Sequence, residues 1–128
     1  MKLRTSDPWM PADEYGKSLK GIGINLLVPS IDIEHAFHEK VLGADVVYRD
    51  PDIAIYRGFG AEWMIHADHT YSDHPLKGSL SGEIPRGIGA EIRLYGCNPD
   101  TAEAAARAQG MDVLAGTMDK PHGCGKSF

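Results

Sequence analysis

Apolar and polar residues alternate along the first clear element of the chain. Ile22, Ile24, Leu26 and Val28 fall on one side, and Gly23, Asn25 and Leu27 on the other. A period of two is what a strand with one packed face requires. The period then lengthens. Ile33, Phe37 and Val41 recur every four residues behind a cap at Ser30 or Asp32, which predicts a helix with an apolar stripe. Gly43 stands where the chain would leave that helix in a left-handed cap. Three strands are predicted next, at residues 45–49, 53–57 and 61–67, with turns at Pro51-Asp52 and from Gly58 to Gly60. In the last of them Trp63 and Ile65 face one way, and Glu62, Met64 and His66 the other. Residues 20–68 therefore read as one βαβββ unit.

The same strings return later. Gly21-Ile22-Gly23-Ile24 reappears as Gly87-Ile88-Gly89-Ala90, and Gly43-Ala44-Asp45-Val46-Val47 as Gly110-Met111-Asp112-Val113-Leu114, at offsets of 66 and 67. The second copy again opens with an alternating strand, Ile88, Ala90, Ile92 and Leu94 against Gly89, Glu91, Arg93 and Tyr95. A helix follows from Asn98-Pro99-Asp100 through Ala102, Ala105 and Ala106 to Gly110, its alanines small enough to let it lie close to a sheet. The counterpart of the last strand falls beyond the C-terminus, and residues 119–125 have little strand character. The expected fold is α+β, a duplicated βαβββ with the second unit truncated at the C-terminus. Residues 20–128 form one domain: unit one at 20–68, a polar linker at 69–86 and an incomplete unit two at 87–128. Residues 1–19 read as an arm in which Pro8, Pro11, Asp13, Glu14 and Gly16 oppose regular structure, while Trp9 and Tyr15 can clip it onto a surface. An uncovered sheet edge invites association, so a homodimer is expected.

Composition narrows the partners. Thirteen Lys plus Arg against eighteen Asp plus Glu give a net charge of −5, which argues against nucleic acid as the main partner. No apolar run reaches the roughly 20 residues of a membrane helix, so no membrane partner is expected. The N-terminus has no apolar core of a signal peptide. Two cysteines, Cys97 and Cys124, make neither a disulfide framework nor a CxxC site, which points to a reducing, cytoplasmic setting.

Several strings also sit at the spacing of a known family. Val28-Pro29-Ser30-Ile31-Asp32, Ala36-Phe37 and Val41-Leu42-Gly43 run from strand through helix to glycine. Met64-Ile65-His66 closes the first unit, and Asn98-Pro99-Asp100 opens the second helix. Together with the duplication, residues 20–123 resemble the vicinal oxygen chelate superfamily of glyoxalase I, bleomycin-resistance proteins and extradiol dioxygenases. The resemblance implies a curved sheet around a cleft, often paired across a dimer. It also implies a divalent metal bound by the first and last strands of each unit. Carried across, the two first-strand ligand positions fall on Gly23 and Gly89, which have no side chain. The first unit's last-strand position falls on Met64 or His66, and the fourth lies past the C-terminus. A metal site needs about three protein ligands, so no metal is expected there.

The bleomycin-resistance branch resembles this chain better, because it implies a metal-free acidic cleft that sequesters a cationic ligand. The expected function is metal-independent binding of a small molecule, with no cofactor. One alternative is a divalent-metal lyase or dioxygenase of the same superfamily, using His66 with Glu62 and Glu91. Another is an inactive remnant that serves as an interaction module. Relatives continue past the Pro121-His122-Gly123 turn with a further strand, so the ending at Cys124-Gly125-Lys126-Ser127 implies a frameshifted or truncated gene.

The expected lining of the cleft is Asn25, Leu27, Tyr56, Met64, His66, Glu91 and Arg93, a mixed set suited to a small molecule. Glu91 and Arg93 can equally form an ion pair that hydrates the sheet. His66 is either a cleft residue or a structural strand histidine. His69 and His74 read as solvated loop residues, and His35 and His38 as exposed or flanking helix positions. His122 is given no role. The Gly123-to-Ser127 string lacks the leading glycine, strand and helix of a phosphate loop. Cys124 has only Lys126 beside it to lower its thiol pKa.

Overall fold

The computed structural model describes residues 1–75, 77–80, 85–119 and 126–127. Its elements are α1 (Ala12–Ser18), β1 (Ile24–Val28), α2 (Ile31–Ala36), β2 (Asp45–Arg49), β3 (Ile53–Gly58), β4 (Ala61–Ala67), α3 (Pro99–Ala108) and the two-residue strands β5 (Met118–Asp119) and β6 (Lys126–Ser127). Four strands form one sheet in the order β1-β4-β3-β2, and β5 and β6 form a separate ribbon. β1 runs parallel to β4, with Ile24 opposite Trp63 and Val28 opposite Ala67. β3 runs antiparallel to β4 and to β2, whose pairing carries an irregularity between Val46 and Tyr48. This is the expected βαβββ unit, and the predicted strands of residues 45–67 all form.

Period two survives in the burial of β4, where Trp63, Ile65 and Ala67 are buried and the residues between them are not. The buried face packs under α2 with Val28, Ile31, Ala54 and Tyr56. Ile31 anchors the helix there, not Ile33, which is 70% exposed. The expected stripe loses Ile33 and keeps Val41, and α2 does not continue as a regular helix. Phe37–Val41 forms a π turn, closed by the Leu42 N–H donating to the Phe37 carbonyl at 3.0 Å. Within that turn the buried positions are His38 and Val41.

The second unit departs further. α3 forms as expected, with the Thr101 N–H donating to Asn98 Oδ1 at 3.2 Å and Pro99 at its start. Its Ala102 and Ala106 pack against Val41 of the first unit's helix, with Phe37 beside them, so the alanines allow helix to approach helix. Residues 88–95 form no strand. Gly89 has φ of 90°, which an extended strand cannot accommodate. The arm holds the short helix α1 in place of the expected irregular chain. Asp68–Tyr71 and Lys77–Leu80 are single 3-10 turns in the linker. His122, Cys124 and the start of the Gly123-to-Ser127 string lie outside the described residues. Among the described residues no helix is long and apolar enough to cross a membrane.

Candidate functional site

Strand register divides the chemistry between two faces. Residues opposite one another in a ladder share a face. Asn25 pairs with Met64 and Leu27 with His66, while Ile55 and Ile53 pair with the same two residues from the other side. These side chains lie on the face away from α2. Tyr56 pairs with Trp63 and is fully buried on the helix face. The expected lining is therefore corrected at Tyr56, which belongs to the core.

On the open face three polar side chains form a chain. The His66 ring contacts Asn25 Oδ1 through Nδ1 at 2.7 Å, and Asn25 Nδ2 donates to the Tyr71 hydroxyl at 2.8 Å. The Tyr71 ring meets His66 edge-on at 5.4 Å between centroids. An amide oxygen only accepts, so His66 Nδ1 carries the proton and Nε2 keeps a lone pair. Burial lowers the His66 pKa, against the opposing pull of Asp50 and Asp52. The neutral ring offers an acceptor at Nε2 with Met64 and Leu27 around it.

The arm covers the far side of this face. Trp9 stacks on Tyr48 at 4.6 Å and meets Tyr15 edge-on at 5.2 Å, and the Tyr15 hydroxyl donates to Glu62 Oε1 at 2.5 Å. Burial first, then the hydrogen bond to Glu62, raises the Tyr15 pKa. The Leu3 and Arg4 N–H groups donate to the Asp52 carboxylate at 2.6 and 3.2 Å, and His69 Nε2 meets the same group at 2.7 Å. Burial alone would raise the Asp52 pKa, but these donors outweigh it and hold the carboxyl below its usual value. Trp9 and Tyr15 thus clip the arm down as their sequence positions suggested. His69 is tied to a buried carboxylate and is not merely solvated.

The helix face holds His35 and His38, which were expected at exposed or flanking helix positions. His38 is only 5% exposed, and its Nδ1 accepts the Trp63 indole N–H at 3.0 Å. Its ring stacks on Tyr56 at 4.5 Å. His35 sits between the Tyr56 hydroxyl, 3.0 Å from Nδ1, and Glu39, 2.7 Å from Nε2. Neither histidine is an exposed helix position. Burial pushes the Tyr56 hydroxyl up to about 12. The available signal was their three-residue spacing, which places both on one helix side facing Tyr56 and Trp63.

Glu91 and Arg93 lie in an irregular loop and hydrogen-bond to each other, realising the ion-pair alternative. They border a cavity on the helix side of the sheet, away from Asn25 and His66. Of the seven expected lining residues, Asn25, Leu27, Met64 and His66 share the open face, and Tyr56, Glu91 and Arg93 do not join them. The same separation bears on a metal. Gly23 and Gly89 offer no side chain, and the Glu62 carboxylate already serves Tyr15 and Arg57. Among the described residues no three His, Cys, Asp or Glu converge to hold an ion. These residues do not fit the metal that the fold implies.

With this geometry in hand, the chain can be set beside known proteins. It superposes on a glyoxalase/bleomycin resistance protein/dioxygenase from Nocardioides with a TM-score of 0.55 and 20% identity, over 85% of this chain and 78% of that one. A lactoylglutathione lyase from Agrobacterium tumefaciens gives 0.49 and 16%, over 81% and 79%. No protein-family model matches the sequence, and no curated protein matches it. The chain has the α+β glyoxalase/bleomycin resistance/dioxygenase fold, with a full four-stranded sheet only in its first unit among the described residues.

Proposed function

We propose that the protein is a cytoplasmic, metal-independent binding protein that takes a small molecule on the open face of its sheet. The supporting observation is the Asn25–His66–Tyr71 chain, which orients an acceptor at His66 Nε2 and a hydroxyl at Tyr71 beside apolar Leu27 and Met64. A few fixed polar groups within an apolar surround is ordinary ligand-pocket chemistry. A donor-bearing ligand matches the His66 acceptor, and the net charge of −5 favours a cation over an anion. β1 is an edge strand of the sheet, and a second copy of the chain would cover it as a homodimer.

Elemental analysis of purified protein, its mass in solution and titration with metal-free bleomycin test this reading together. We expect no stoichiometric metal, a dimeric mass and saturable binding that His66→Ala weakens about tenfold with the fold intact. Stoichiometric zinc, iron, manganese or nickel that is lost in His66→Ala would replace the proposal with a metal enzyme. Absence of saturable binding by bleomycin and by smaller cationic amines would favour an interaction module.

A further inference from the structure

A cavity of about 890 Å³ lies on the helix side of the sheet, between β1, the π turn, α3 and the loop of residues 91–97. Its wall is largely apolar, with Ile24, Leu26, Phe37, Leu42, Leu94 and Met111. Glu91 and Arg93 pair with each other at its border. His38 is the buried imidazole in that wall. Because the Trp63 indole occupies Nδ1 as an acceptor, the neutral ring must carry its proton on Nε2. No unpaired side-chain nitrogen or oxygen among the described residues is sealed from solvent. The Nε2–H is therefore not sealed from solvent, and His38 lines this cavity.

We propose that the cavity binds an uncharged molecule with an apolar body and one carbonyl oxygen, which accepts a hydrogen bond from His38 Nε2. Its size lies within the range of small-molecule pockets. Burial, with His35 adding to it, lowers the His38 pKa to about 4, so the ring presents a donor without a charge. A carboxylate would lose hydration here and meet Glu62, Glu91 and Asp112 around an Arg93 already paired to Glu91, whereas a ketone, ester or amide exchanges one hydrogen bond for another. Burial also raises the Cys97 thiol, which keeps the neighbouring wall neutral. The site lies across the sheet from His66 and stands whether or not the open face binds a ligand.

The test is a nitrogen-15 NMR titration of the full chain with acetophenone, isopropylbenzene and benzoate. Trp9→Phe assigns the remaining indole signal to Trp63. Acetophenone should shift the Trp63 indole and His38 ring signals saturably and bind about tenfold tighter than isopropylbenzene, with no saturable shift from benzoate. His38→Leu should abolish the preference for the ketone. His38→Gln keeps an acceptor for Trp63 and a donor for the ligand, so it should retain that preference. Ile92→Trp, at a lining position in the loop, should exclude both neutral probes without disturbing the core. Equal affinity for acetophenone and isopropylbenzene, or ketone-induced shifts confined to His66 and Tyr71, would overturn the proposal. So would a ketone preference that survives His38→Leu.

Discussion

Two pairs of equivalent glycines in the two units hold nearly the same backbone conformation, while a third pair, Gly23 and Gly89, and the segments around it diverge. Gly21 and Gly87 have φ of 75° and 79°, and Gly43 and Gly110 have 68° and 70°. In unit one the chain leaves Gly21 and enters β1 at Ile24, which β4 pairs along its whole length. In unit two the equivalent residues run as irregular chain, and among the described residues no strand pairs with them. Turns and caps are local, so both copies keep them. A strand exists only when a neighbour takes its N–H and C=O groups, so only one copy has it. The difference also moves chemistry, because Glu91 and Arg93 leave the sheet and border a cavity.

The sharpest way to break this contrast is to truncate one side chain of the paired sheet and one of the unpaired segment that packs on the same core. Trp63→Ala removes a buried indole and leaves His38 Nδ1 without its donor, so it should cost about 3–5 kcal/mol in urea unfolding. Leu94→Ala, in the unpaired segment, removes a half-buried side chain and should cost about 1 kcal/mol. Equal losses would mean that the unpaired segment holds this core together as much as the sheet does.

Acid should reveal the next difference. The His38 pKa is about 4 in the folded chain and near 6.5 when unfolded, so the unfolded state takes up its proton first as pH falls. The stabilisation from keeping this ring neutral is present above pH 6.5 and is lost as pH drops towards 4. Between pH 7 and 5 the loss should be about 2 kcal/mol, and His38→Gln should flatten the curve. A curve unchanged by that substitution would place the acid sensitivity elsewhere.

The smallest effect tests the duplication itself. Gly43→Ala and Gly110→Ala each force a Cβ into a left-handed cap and should each cost about 1 kcal/mol. A large difference between them would show that only one cap shapes its unit.

Much of this was legible in the residues. Alternation named the four strands of the sheet, the duplicated glycines named the caps, and the outward set of β4 placed Met64 and His66 on the open face. Asn25 and Leu27 followed from the same period. Tyr56 did not, because the pairing between strands, and not the pattern within β3, decides which face its ring takes. His35 and His38 were hidden for another reason. Histidine gives no hydrophobic signal, so an apolar repeat does not register the two rings although their three-residue spacing puts them on one helix side.

Sequence alone determined what depends on near neighbours: strand period, helix starts and capping glycines. Tertiary structure decided what depends on distant partners. It turned residues 88–95 into loop, set α3 against the first unit's helix and tied Asp52 to the arm's N–H groups. It also locked His38 against Trp63, 25 residues along the chain. Propensity acts through a few adjacent bonds, whereas a buried polar group must find its partner wherever the fold brings one.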